Sequence, residues 1–281
     1  MRLLLKVATG LLAVGITAAA CAPAKDDSAA QKPSCAKGKL PTVSKGTLTI
    51  GTDNPAYPPW FVDDKPANGK GYESAVAYAV AKELGYPRSK VTWKVTTFNS
   101  VITPGPKKFD FDINQVSISA DRAQAVDFSP GYYTVTQAVI ALKSSPIAHA
   151  TKVSQLKDAK LGAQISTTSY STITDVIKPS KKPAAFNTND LAKQALSNGQ
   201  IDGLLVDLPT AFEMVSEIDH SKVVGQLPQT SGTPEQFGLV LEKDSPLTSC
   251  VGGAVGRLDA AGTLKKLQTK WLENSGAPVL K

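Results

Sequence analysis

The chain is predicted to be an α/β protein of two lobes joined by two crossings. Short strands, with apolar residues alternating or in brief runs, are interleaved with helical stretches from GTLTIG at 46–51 onwards. The composition changes at Ser144-Ser145-Pro146, after which a second strand and helix series begins. The last helical region, Leu247 to Leu272, follows that series with no sheet of its own, so the chain most simply returns to the first lobe. The boundaries expected are 46–134 plus 238–281 for lobe 1 and 135–237 for lobe 2.

The start of the chain reads as an export leader. Arg2 and Lys6 precede an apolar stretch from Val7 to Ala18, and Ala18, Ala19 and Ala20 lead into Cys21. Residues 1–20 are thus a signal peptide, too short for the ~20 apolar residues of a comfortable membrane span. Ala-Ala-Ala-Cys resembles a lipobox, whose cysteine is lipidated after cleavage; simple cleavage at the same place is the alternative. Residues 21–45, rich in Ala, Lys, Ser, Pro and Asp, read as a flexible tether that would keep the protein outside the cytoplasm on a lipid anchor at the cell membrane. With Cys21 lipidated, Cys35 and Cys250 are left, and in an exported protein they either form a disulfide, as expected here, or stay as two thiols.

In lobe 1, Leu48 and Ile50 mark a first strand that ends at Thr52-Asp53, where open α/β sheets place ligand groups. Asp53 either faces a ligand or serves as an N-cap or Asx turn. Tyr57, Trp60 and Phe61 in the proline-bearing turn that follows supply flat apolar walls, at least one of them packing in the core. GYESAVAYAVAKELG is a helix with Tyr72, Val76, Val80 and Leu84 on one stripe. Val91, Trp93 and Val95 form the next strand, leading to Phe98. In FDFDINQVSISADR, Phe109, Phe111 and Ile113 alternate with Asp110, Asp112 and Asn114 as in a half-buried strand, and Ser119 caps a short helix carrying Arg122. An arginine in a first turn opposes the helix dipole unless a bound anion requires it, so Arg122 is a candidate carboxylate ligand. Asp127-Phe128-Ser129 then leads through a Pro-Gly turn into the strand Val135 to Leu142.

In lobe 2, the strand Leu161 to Ile165 runs into Ser166-Thr167-Thr168-Ser169 and a helix, a set of hydroxyls and free N–H groups suited to an anion. After a helix at 190–197, the strand IDGLLVD ends at Asp207, which either caps the Pro209-bearing helix or meets a cation. FGLVL at 237–241 is the last strand, and Leu258, Leu264, Leu267 and Trp271 mark buried faces of the final helices.

Taken in order, LTIGTDNPAYPPW, GYESAVAYAVAKELG, FDFDINQVSISADRAQAVDFSPGYY, LGAQISTTSYSTI, GQIDGLLVDLP and FGLVLEKDSPL…GTLKKLQTKWL resemble the extracytoplasmic solute-binding proteins of polar amino-acid ABC importers, bacterial solute-binding protein family 3. The resemblance covers nearly all of 46–272. It implies a two-lobed periplasmic-binding-protein-like fold of type II, with hinge crossings near Thr134 to Gln137 and Glu235 to Gly238, closing on an amino acid that is then delivered to membrane permease subunits. By position it implies that Arg122 pairs with the ligand's α-carboxylate, helped by Thr168 beside Thr167, and that Asp207 receives the α-ammonium. Ser117 and the backbone at Gln115 complete the grip, while Asp53, Tyr57 and Phe98 face the ligand's side chain, which is expected to be basic or amide-bearing. DNPAYPPW is one residue longer than the usual form, and TPGPKK is an insertion beside the same pocket.

Other classes are disfavoured. The net charge of +7 falls to +5 without Arg2 and Lys6, and lacks the arginine and aromatic clustering of a nucleic-acid groove. P-loop and GxGxxG patterns are missing, as are HExxH and CxxC, so no cofactor or metal is expected. Some relatives with this fold dehydrate cyclohexadienyl acids, but His149 and His220 stand apart without a nucleophile partner, and an enzyme is not expected. A ligand-presenting sensory role is a further alternative, and a monomer is expected.

Overall fold

The computed structural model describes residues 34–229, 232–272 and 276–281. The leader, Cys21 and the tether up to residue 33 lie outside the described residues. From 34 to 45 the expected tether is instead laid against the first lobe. Cys35 and Cys250 are paired, with Cα atoms 5.4 Å apart. Gly38 donates its N–H to the Leu84 carbonyl at 2.8 Å, and buried Leu40 donates its own to the Tyr86 hydroxyl at 3.2 Å. Composition hid this because each anchor lies far along the chain.

Lobe 1 begins with β1 (Leu48–Thr52), α1 (Tyr72–Glu83), β2 (Val91–Val95), α2 (Phe98–Ile102), β3 (Phe111–Asp112), α3 (Ala120–Ala125) and β4 (Val126–Thr134). Lobe 2 contains β5 (Gln137–Leu142), β6 (Leu161–Gln164), α4 (Thr168–Thr172), β7 (Ala184–Phe186), α5 (Asn189–Ser197), β8 (Gly203–Asp207), α6 (Leu208–Glu217) and β9 (Ser221–Gln226). The chain then returns through β10 (Gln236–Glu242), α7 (Thr248–Ala260) and α8 (Thr263–Trp271). The two sheets run β2-β1-β3-β10-β4 and β7-β6-β8-β5-β9. In each, a central trio is parallel, with β1 between β2 and β3 and β6 between β7 and β8, so the carboxyl ends of β1, β6 and β8 form ligand edges. The lobes are crossed at 135–136 and again between β9 and β10.

α1 forms where the apolar stripe predicts it, and its start depends on Gly71. With φ at 94°, Gly71 lies so close to the Trp60 carbonyl that a Cβ would sit 2.4 Å from that oxygen. Leu48, Ile50, Phe111 and Ile113 pack with α1, α7 and α8 around Trp60, Phe61 and Tyr72. In lobe 2, apolar residues cover both faces of the sheet, Val139 and Leu205 on one and Ile140 and Leu204 on the other.

Four features depart from expectation. β3 is only two residues long and is not half-buried: Asp110, Asp112 and Asn114 are all inside. Asp110 accepts the N–H groups of Val43 and Thr49 at 2.7 and 2.6 Å, so its polarity serves the backbone rather than solvent. Pro130-Gly131 does not turn the chain but runs inside β4, which tolerates a proline because it is an edge strand. β7 and β9 were not anticipated. Finally, the C-terminal tail, expected with lobe 1, pairs with lobe 2. Gln226 N–H meets the Pro278 carbonyl and Leu280 N–H meets the Gln226 carbonyl, both at 2.9 Å. Lys281 exchanges hydrogen bonds with Thr151 and Val153, and Leu280 is buried in the lobe 2 core.

Candidate functional site

The ligand edges of β1, β6 and β8 face one another across a cleft between the lobes, about 690 Å³ including the part open to solvent. Asp53, Tyr57, Phe98, Gln115, Ser117, Arg122, Thr167, Thr168 and Asp207 all line it. Trp60, expected in the same wall, does not. It is fully buried among Tyr72, Tyr133 and Phe237, and its indole N–H donates to the Thr210 hydroxyl at 3.0 Å. A large apolar ring with one donor is better satisfied in a core that supplies an acceptor. Thr210 belongs to α6, so this bond ties the lobes together.

Arg122 is set by its helix cap. The Ser119 hydroxyl accepts the Arg122 backbone N–H at 3.2 Å, which fixes the start of α3 and so the point from which the side chain reaches the cleft. One terminal nitrogen donates to the Ser117 carbonyl at 2.7 Å and the other crosses to the Ser166 carbonyl of lobe 2 at 2.8 Å. The guanidinium carbon also lies 5.4 Å from the Phe98 ring centre. Its surroundings lower the guanidinium pKa by desolvation, opposed by the charges of Glu235 and Asp207.

The lobe 2 wall is built from helix starts and a strand end. Thr167 caps α4, accepting the Tyr170 N–H at 3.2 Å. Thr168 brings its hydroxyl to 3.3 Å from that of Ser117, a second contact between the lobes. Asp207 makes no cap bond to α6. Its Oδ1 instead accepts from the Gln137 side-chain amide at 2.8 Å. Desolvation pushes the Asp207 carboxyl well above the ordinary range, and neighbouring Glu235 pushes the same way, against Gln137 and Arg122.

On the lobe 1 side, Asp53 accepts the N–H of the next residue, Asn54, at 2.8 Å and that of Phe98, the first of α2, at 3.2 Å, so it serves a helix start rather than closing an Asx turn, and it lines the cleft. Burial raises its pKa against those two bonds. Burial also raises that of Tyr57, with Asp190 across the cleft adding to the effect. Gln115 takes φ of 48°, unusual outside glycine. It is held there by Glu73, whose carboxylate accepts the Gln115 N–H at 2.8 Å, the Gln115 side-chain amide and the Tyr132 hydroxyl. Glu73 is fully buried, and desolvation pushes its pKa up to about 7 despite these bonds.

Glu73, Gln137 and Glu235 were therefore missed. Glu73 lies in the first turn of α1, where an acid ordinarily serves the helix dipole. Gln137 and Glu235 lie at the crossings, so their roles depend on how the two lobes meet. The chemistry assembled is a guanidinium and hydroxyls that suit an anion, in the same cleft as carboxylates that suit a cation.

The chain matches the family "Bacterial extracellular solute-binding proteins, family 3" over residues 48–274. It is similar to the L-cystine-binding protein TcyJ of Escherichia coli, 28% identical over 240 residues, covering 84% of this chain and 85% of that protein. It is also similar to the lysine/arginine/ornithine-binding periplasmic protein of Escherichia coli, 26% identical over 234 residues, covering 81% and 88%. Among solved structures it resembles an ancestral arginine-binding protein bound to glutamine, with a TM-score of 0.68 and 28% identity, covering 82% of this chain and all of that one.

Proposed function

The chain belongs to the bacterial extracellular solute-binding proteins, family 3, and from that premise we propose that it captures a polar amino acid between its lobes and delivers it to the permease of an ABC importer. The observation that carries this reading is that Arg122 of lobe 1 and Asp207 of lobe 2 line one cleft. The Arg122 fork would take the α-carboxylate, exchanging the Ser166 carbonyl for a charged acceptor. Thr168, positioned by the Thr167 cap, would support it, while Gln115, whose N–H goes to Glu73, would offer its carbonyl to the ammonium. Asp207 would take the α-ammonium, offsetting a cost of burial that is high for an unpaired carboxylate. A ligand held by both lobes favours the closed form by its differential affinity for it.

Asp53, Tyr57 and Phe98 would surround the side chain. A carboxylate that shares the cleft with two aromatic side chains suits a cationic or amide-bearing group, in keeping with relatives named for lysine, arginine, ornithine, histidine and glutamine. The cystine named for other relatives keeps a second amino acid head as an alternative occupant. Lipidation of Cys21 would hold the protein at the membrane, and a Cys35–Cys250 disulfide would form in that oxidising compartment. Mass spectrometry of the membrane fraction with and without reduction checks both.

Thermal melting of the processed chain, with Cys21 replaced, against the common amino acids, ornithine, citrulline and cystine tests the reading. A ligand at a hundred times its dissociation constant adds about 2.7 kcal/mol. A shift with a basic or amide amino acid supports the proposal. Shifts confined to acids without an α-amino group overturn the role given to Asp207.

A further inference from the structure

Glu235 stands on the second crossing, one residue before β10, where it reaches both lobes. Its Oε1 accepts the Ser117 hydroxyl at 2.5 Å. Both its oxygens accept from the Gln137 amide nitrogen, at 3.3 and 3.1 Å. That nitrogen also donates to Asp207, while the Gln137 carbonyl accepts the Ser169 hydroxyl at 2.6 Å. The Ser169 bond fixes which way the amide points, so its N–H groups face the two carboxylates.

A serine hydroxyl carries a single hydrogen. With that hydrogen on Glu235, Ser117 has only lone pairs left for the cleft, and in its contact with Thr168 the threonine is the donor. Asp207, spoken for on Oδ1, likewise has only lone pairs to offer. We propose that Glu235 is a positioning residue for ligand recognition: it commits Ser117 to accepting and, through Gln137, orients Asp207, so that this part of the cleft takes an ammonium and rejects a carboxylate. Glu235 thereby fixes the direction in which a zwitterion enters: once an ammonium donates to Ser117, the Thr168 hydrogen is released from that contact and joins Arg122 as a donor for the other end. Because it rides on the crossing, the arrangement is complete only when Ser117 of lobe 1 and Gln137 of lobe 2 come together. This inference rests on the amino-acid reading above.

Calorimetric titration of the processed chain tests it, using L-arginine, L-glutamine, L-histidine and L-cystine, each beside its des-amino analogue (guanidinovalerate, glutaramate, imidazolepropionate, dithiodipropionate). Glu235→Gln removes the charge and one acceptor, and Glu235→Ala removes the acceptor altogether. Both are expected to weaken the amino acid that the parent binds by about tenfold or more while changing its des-amino analogue less than about twofold, a difference of affinities rather than a general loss. In a Ser117→Ala background the effect of Glu235→Gln should shrink to the part that runs through Gln137 and Asp207, since the Ser117 interaction is removed by either change. Equal losses for amino acid and analogue, an undiminished effect in Ser117→Ala, or no loss at all would overturn the role of Glu235 alone. A parent that binds none of the amino acids overturns the amino-acid reading and this inference with it.

Discussion

Arg122 spends its two terminal nitrogens on carbonyls of opposite lobes, 2.7 Å to Ser117 and 2.8 Å to Ser166. Those bonds hold the fork in place before a carboxylate arrives, which is why Arg122→Ala is expected to weaken ligand binding by about 2 to 5 kcal/mol, as for other buried charge pairs that lose one member. Calorimetry on the variant checks this. Asp207→Asn should separate binding from stability. It weakens the ligand, yet the unliganded melting temperature holds or rises, because a desolvated carboxylate whose pKa is already pushed up is replaced by a neutral group. Glu73 gives a pH signature. Its folded pKa, about 7, lies above its ordinary value of 4.5, so the folded state binds the proton more tightly than the unfolded chain. Its stabilising effect is present below about 4.5 and lost as pH rises through 7. The melting temperature should fall across that window, and Glu73→Gln should flatten the fall. Asp53, Asp110, Asp112 and Asp207 are shifted the same way and leave a residual slope.

At the scale of elements, α1, β1 and β8 were legible because apolar spacing alone decides them, and Arg122, Thr168 and Asp207 because each sits at a strand's end or a helix's start. β4 was not, since Pro130-Gly131 is a turn signal overridden by an edge position that requires little of the proline. The segment around the short strand β3 buries three polar side chains, Asp110, Asp112 and Asn114, where local pattern predicts an exposed face. The tail was read wrongly because its pairing with β9 depends on an element that was itself missed. That pairing has a measurable consequence. Leu280 is 1% exposed and packs against lobe 2, so Leu280→Ala should cost about 2 to 5 kcal/mol in chemical denaturation, as large-to-small changes in a core do.

At the scale of the molecule, the lobes are joined by two crossings and touch through Trp60 with Thr210, Arg122 with Ser166 and Ser117 with Thr168. Lobe 1 is closed on itself by the Cys35–Cys250 pair, 215 residues apart. Replacing both cysteines by serine should lower stability by about 2 to 5 kcal/mol while leaving the cleft residues in place, so the melting temperature drops and the ligand's dissociation constant does not. The contacts between the lobes were invisible in the sequence because each pairs residues that no local pattern relates. They are also what bring Arg122 of lobe 1 and Asp207 of lobe 2 to one cleft. On the proposed reading both ends of one zwitterion are held at once. Titration of the processed chain with its best amino acid and with that amino acid's methyl ester tests it most directly, since the ester keeps the ammonium and side chain but loses the carboxylate charge. An ester at least about a hundredfold weaker, equivalent to the loss of one charged pair, is the result expected. An ester that binds as tightly as the acid would rule out a carboxylate held by Arg122.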